Sequence, residues 1–147
     1  MTDVDHFKRY NDVNGHPAGD QCLINVAQTL TSCAKRPTDF IGRFGGGEFI
    51  VVLPDTEHAG ACKVANKIRQ DILQRKMPYE ANSLEYVSLT LGVVTVRGSH
   101  IKSIQQLTKE ADKALYYGKS QGRNCVIGIS LNEPEECHPV PEYMKCA

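Results

Sequence analysis

A chain of 147 residues, 41% hydrophobic and 23% charged, is long enough to bury one substantial core and short for two. Seventeen Lys and Arg balance seventeen Asp and Glu, so net charge draws the molecule neither to nucleic acid nor to an acidic membrane surface, and any anion site has to be local. The longest apolar stretches, residues 49–53 and 89–96, are too short to cross a bilayer and no secretory signal opens the chain, which predicts a cytoplasmic location without membrane insertion.

In chain order, residues 1–7 alternate acidic and apolar side chains and predict a strand, followed by a turn-rich loop over 11–19 with Asn-Gly and a proline. Leu23, Ile24, Ala27, Leu30 and Ala34 recur at helical spacing within 20–35, and Pro37 ends the pattern. Residues 40–44 and 49–53 are apolar runs joined through Gly45-Gly46-Gly47 and predict a β-hairpin. A second helix is expected over 59–73, a β-branched strand over 87–96, a third helix over 104–119 and a last strand over 125–129. The expected order is βαββαβαβ, an α+β fold of the ferredoxin-like kind with a mostly antiparallel central sheet flanked by helices. The domain is expected to span 1–130. Residues 131–147, with prolines, glutamates and little periodicity, predict a flexible tail.

Six cysteines contain no C-x-x-C pair, and four sit in apolar periodic segments, so reduced thiols rather than a disulfide framework are expected. Cys137, His138 and Cys146 offer three zinc-type ligands in the tail but match no established spacing. Asp3 and Asp5, two apart on the first strand, leave one face and could present hard oxygen ligands to magnesium, or could be solvated edge acids. Asn11 and Asp20 have the hydrogen-bonding chemistry for a guanine edge, or for capping a turn and a helix.

The run Asp3-Val4-Asp5-His6-Phe7-Lys8-Arg9-Tyr10-Asn11-Asp12, continued by Gly15-His16-Pro17-Ala18-Gly19-Asp20, resembles the opening block of diguanylate cyclase GGDEF domains. Arg43-Phe44-Gly45-Gly46-Gly47-Glu48-Phe49 is similar to their name-giving hairpin. Ser88-Leu89-Thr90-Leu91-Gly92-Val93 resembles the strand that follows, and Ala111-Asp112-Lys113-Ala114-Leu115-Tyr116 with Lys119 and Gly122-Arg123-Asn124 the final helix and turn. Several motifs in order over nearly the whole chain are far more specific than any one of them.

The resemblance implies the nucleotide-cyclase palm and a reaction that joins two GTP, each held by one subunit, into cyclic di-GMP and pyrophosphate. It implies metal contacts from Asp3 and the backbone carbonyl of Val4, with magnesium or manganese as the ion. Asn11, His16 and Asp20 match substrate positions, with Asn11 and Asp20 on guanine. Backbone amides near Phe7, with Lys8, Lys119 and Arg123, match triphosphate contacts, and Lys8 a transition-state stabiliser. Arg36-Pro37-Thr38-Asp39, with Lys67, matches the family's inhibitory site for cyclic di-GMP. The implied partners are GTP, cyclic di-GMP, a second copy in a homodimer, or a sensory domain, and not nucleic acid.

Two departures stand out. Active members carry Asp or Glu where this chain has Gly47, so the resemblance implies lost metal binding and negligible cyclase activity. Strand alternation predicts that Glu48 points away from the site, and substitution by it would take a one-residue register shift at the triple-glycine turn. The helical segment that usually opens the domain is also expected to be missing. The reading is a regulatory domain binding cyclic di-GMP or GTP, against a working cyclase or a dimerisation module without ligand.

Overall fold

The computed structural model describes residues 1–79, 85–96, 103–131 and 144–146. The elements are β1 (Thr2–Val4), α1 (Phe7–Asn14), α2 (His16–Cys33), β2 (Phe40–Gly45), β3 (Glu48–Val52), α3 (His58–Gln74), β4 (Leu89–Thr95), α4 (Ile104–Ser120), β5 (Val126–Ser130) and β6 (Met144–Lys145). They build one sheet in the order β2-β3-β1-β4-β5-β6. Among the described residues only the β4/β5 pair is parallel, so the sheet is mixed and largely antiparallel. The three-residue β1 lies between β3 and β4, which puts its acidic residue at the centre of the sheet.

The first predicted strand is shorter than expected, and the loop expected over 11–19 is mostly helix. His6 takes a left-handed conformation, φ 56°, which turns the chain out of the strand, and Tyr10 gives α1 a buried anchor. Gly15, φ 82°, then ends α1 while its N–H bonds to the Asn11 carbonyl, and Pro17 sits in the first turn of α2. Tertiary burial of Tyr10 outweighs the turn propensity of Asn11, Asn14 and Gly15. The Asn14 amide serves the junction by donating to the carbonyls of Tyr10, 3.0 Å, and Tyr79, 2.8 Å.

One face of the sheet carries α1, α2 and α3 over a core that includes Val4, Tyr10, Leu23, Val26, Leu30, Ile68, Ile72, Leu89, Leu91 and Val126. Full burial of each such side chain contributes about 1.5–3 kcal/mol. On the other face α4 packs through Ala114 against Cys125 and Ile127. It approaches so closely that a Cβ on Gly92 would lie 2.4 Å from the Ala111 carbonyl oxygen. Cys22 is a packed core thiol, its pKa pushed up to about 11 by burial.

Of the expected tail, residues 132–143 and 147, which include Cys137 and His138, lie outside the described residues. Met144–Lys145 pairs with β5, and the Cys146 N–H donates to the Val126 carbonyl at 3.0 Å. Cys62 and Cys146, 84 residues apart, are paired as a disulfide, which corrects the expectation of reduced cysteines throughout. Sequence spacing does not encode that proximity; the docking of β6 creates it. Cys22, Cys33 and Cys125 are free. Among the described residues no helix is long and apolar enough to cross a membrane.

Candidate functional site

The site forms where β1 leaves the sheet. The Val4 N–H donates to the Gly47 carbonyl at 3.1 Å and the Asp5 N–H to the Ser88 carbonyl at 3.0 Å, which holds this exit between the β2/β3 hairpin and the start of β4. No side chain caps α1, so its first-turn N–H groups open onto a cleft that Phe7 and Lys8 line. The cleft has a volume of about 560 Å³. It brings together Asp3, Val4, Phe7, Lys8, Asn11, Gly47, Lys119 and Arg123, eight of the residues singled out from the sequence, drawn from β1, α1, α4 and the β2/β3 and α4/β5 turns.

His16 and Asp20 are not among the lining residues; both are exposed in the first two turns of α2. Gly19 between them is buried because Asn11 occupies the space a side chain would need. A Cβ on Gly19 would lie 1.7 Å from Asn11 Oδ1, an acceptor that is itself buried and without a hydrogen-bond partner among the described residues. Gly19→Ala is therefore expected to expel the Asn11 amide and destabilise the protein by about 1–3 kcal/mol. Thermal unfolding checks this: Asn11→Ala in the Gly19→Ala background should recover most of the loss, whereas two independent sites would add.

At the hairpin, Gly46 takes φ 51° in the turn, and the Arg43 guanidinium donates to the Gly46 carbonyl from Nε at 3.2 Å and Nη2 at 2.8 Å. Arg43 thereby fixes the turn, a role the sequence reading did not assign. Gly47 is buried, and a Cβ there would stand 3.2 Å from Asp3 Oδ1 and 3.1 Å from Phe7 Cβ. A side chain at 47 would thus be aimed at Asp3. Glu48 corrects the expectation drawn from alternation. It is the direct cross-strand partner of Asp3 and lines the cleft, because opposed residues of an antiparallel pair share a face. Position 47 belongs to the turn, the β2/β3 register shifts between Arg43 and Gly45 just before it, and Gly47 and Glu48 both border the cleft.

Asp3 accepts an ion pair from Lys119 Nζ at 2.8 Å on its Oδ2. Lys8 and Arg123 add two further cations to the same cleft, which supplies the local positive field that the balanced composition required. Asp3, Val4 and Glu48 border the cleft, so two carboxylates and a backbone carbonyl could offer the oxygen donors that suit magnesium or manganese, with one carboxylate fewer than an acid at 47 would give.

Asp5 does not join Asp3. It is 4% exposed and accepts from Ser88 Oγ at 2.6 Å, Thr90 Oγ1 at 2.6 Å and the Asn124 N–H at 3.1 Å. Because β1 ends at Val4, the strand geometry that would align the two carboxylates stops one residue early. Asp5 instead ties the exit of β1 to β4 and to the turn before β5. Asn124 and Arg123 are both left-handed in that turn, φ 44° and 64°.

Arg36 and Asp39 form an ion pair with each other. Arg36 Nε donates to Asp39 Oδ1 and the Arg36 N–H to Oδ2, both at 3.0 Å, and the guanidinium also reaches Thr56 Oγ1. The Asp39 side chain is 4% exposed and that of Arg36 46%, so the cation keeps a free face. Lys67 is engaged elsewhere, with Asp71 Oδ2 at 2.7 Å, and that hydrogen bond holds the Asp71 pKa below the ordinary carboxylate value.

A mixed sheet that offers carboxylates from its central strand and a neighbouring hairpin to a cleft rimmed by cations defines a nucleotide-cyclase palm. The family described as diguanylate cyclase, GGDEF domain, matches residues 1–125, and the chain belongs to it. Diguanylate cyclase A of Treponema denticola is 38% identical over 135 residues, 92% of this chain and 36% of that protein. Diguanylate cyclase DgcM of Escherichia coli K12 is 37% identical over 127 residues, 86% of this chain and 29% of that protein. The chain thus spans about a third of the length of these curated relatives. Among solved structures, the active GGEEF domain of a Vibrio cholerae diguanylate cyclase has a TM-score of 0.76 at 33% identity, covering 90% of this chain and 81% of that one. The GGDEF domain of DgcB from Caulobacter crescentus, in complex with c-di-GMP, has a TM-score of 0.75 at 30% identity, covering 86% and 74%.

Proposed function

We propose that this GGDEF domain is a cytoplasmic regulatory module that binds cyclic di-GMP, and GTP in its cleft, while making cyclic di-GMP weakly or not at all. The observation that carries the impaired-catalysis half is the aim of position 47 at Asp3 Oδ1 across 3.2 Å, with no side chain to share a cation there. In the cleft, the open first turn of α1 with Lys8, Lys119 and Arg123 suits a triphosphate, and Asn11, which lines the cleft, carries an amide of the kind that can bond a guanine edge. Bound magnesium or manganese would supply charge neutralisation and activation of a ribose hydroxyl. Lys119 pairs with Asp3 Oδ2, and Oδ1, the oxygen that faces position 47, would be the one to hold an ion. Reaction in this family requires two nucleotides face to face, so the assembly in question is a homodimer, assembled by this domain or by a sensory domain beside it.

The cyclic di-GMP half rests on Arg36 and Asp39. The exposed guanidinium face can take a phosphate or guanine acceptor as a fork, and Asp39 can turn toward a guanine edge. Calorimetry tests it: Arg36→Ala should weaken cyclic di-GMP binding roughly ten- to a hundredfold, equivalent to one charge-assisted contact of about 1.5–3 kcal/mol, while Asp20→Ala changes little. An internal ion pair without ligand function predicts no difference. The opposite pattern puts the ligand in the cleft, and no heat with either nucleotide leaves a dimerisation module. Glu48, opposite Asp3, favours a second reading, a slow but working cyclase with Glu48 as the second carboxylate. Product from the wild-type chain that disappears in Glu48→Gln would establish it.

A further inference from the structure

On the face of the sheet that packs α3, remote from the nucleotide cleft, three side chains converge. His58 and Cys62 stand four apart at the start of α3 and so share a helical face. Cys146 is brought to them by β6 and its N–H bond to Val126. The His58 ring nitrogens and the two sulfurs offer ligand atoms that all lie within 4.8 Å of one another. We propose that the reduced chain binds a thiophilic divalent metal ion, zinc by its chemistry, through the thiolates of Cys62 and Cys146 and Nε2 of His58.

Three features suit a metal at these residues once the disulfide is reduced. His58 Nε2 lies 3.5 Å from Cys62 Sγ, and a tetrahedral ion with zinc–nitrogen and zinc–sulfur bonds of about 2.05 and 2.3 Å sets that edge at about 3.6 Å. His58 Nδ1 is 2.6 Å from Thr95 Oγ1. With Nδ1 donating there, the Nε2 lone pair faces the sulfurs, the arrangement by which metal-binding histidines are oriented. Beneath the cluster, a Cβ on Gly128 would stand 2.7 Å from Cys146 Sγ and 2.8 Å from His58 Nε2, so glycine clears the sheet under the site. A disulfide uses only the sulfurs and needs neither the imidazole nor Thr95. Binding releases the two thiol protons, and water completes the fourth position. The ion pins Cys146, and with it β6, to α3 and β5.

The test is a titration of the full chain, purified and held in a non-chelating reductant and stripped with a chelator, first with cobalt(II) and then with zinc. One equivalent of cobalt should bind with thiolate charge-transfer and tetrahedral d–d bands. Zinc should displace it and raise the unfolding temperature. His58→Ala and Cys146→Ser should each weaken binding a hundredfold or more, and Thr95→Val about ten- to a hundredfold. Circular dichroism establishes which variants fold, and Thr95→Val, which removes no ligand, keeps the test decisive if a ligand variant does not. Three results overturn the proposal: no stoichiometric binding by the reduced wild type, affinity unchanged in the folded variants, or a Cys62–Cys146 disulfide that persists by mass under reductant.

Discussion

Gly47→Asp and Gly47→Glu are expected to yield cyclic di-GMP from GTP and magnesium where the wild-type chain yields none above a blank. A Cβ at position 47 faces Asp3 Oδ1 at 3.2 Å, so a carboxylate there would stand beside Asp3, where the two could share a cation. If that ligand is worth about 4–5 kcal/mol in the transition state, restoring it raises the rate about a thousandfold or more. The same Cβ meets Phe7 Cβ at 3.1 Å, so Phe7 has to give by a few tenths of an ångström. A folded variant is therefore a precondition, checked by circular dichroism before the chromatographic assay. Asp3→Asn in the Gly47→Asp background should abolish the restored turnover. A folded Gly47→Asp and Gly47→Glu pair that both stay silent would move the defect away from position 47. Robust product from the wild type would sink the impaired-cyclase reading outright.

Asp5→Ala should cost about 3–5 kcal/mol of stability, which for a chain of this size lowers the unfolding midpoint by roughly 10 °C or more. The carboxylate accepts from Ser88, Thr90 and Asn124, and its removal leaves two hydroxyls and a backbone N–H with no acceptor in a buried setting. Asp5→Asn should lose less, since its amide oxygen can keep part of the set. Because this network holds the start of α1 against β4 and the Arg123 turn, it positions the cleft without touching a nucleotide. Differential scanning calorimetry decides it. A shift of only a degree or two would return Asp5 to the solvated edge acid that composition allows.

Periodicity located the helices at α2, α3 and α4 and the hairpin at Gly45-Gly46-Gly47, because each buries one face over enough residues to leave a repeating pattern. It missed α1, whose single buried residue, Tyr10, leaves no period to detect in eight residues. Motif order identified the family and most of the cleft, since Asp3, Lys8, Asn11, Lys119 and Arg123 do converge. The departure at Gly47 was equally legible, because a missing side chain is a property of the residue itself.

Direction and proximity were decided elsewhere. That Glu48 faces Asp3 depends on β1/β3 register and on where the turn ends, and the two-residue alternation argument fails at a turn. That Asp5 is a buried strut rather than a companion of Asp3 depends on the strand stopping at Val4. The meeting of His58, Cys62 and Cys146 depends on β6 docking beside β5 over a bare Gly128. Sequence by itself determined the family, the helical and hairpin segments and the missing acid, all of which are local or ordered along the chain. Only the tertiary structure decided which carboxylates share the cleft and which cysteines meet, because contacts between distant residues follow from sheet register and packing, which no local pattern records.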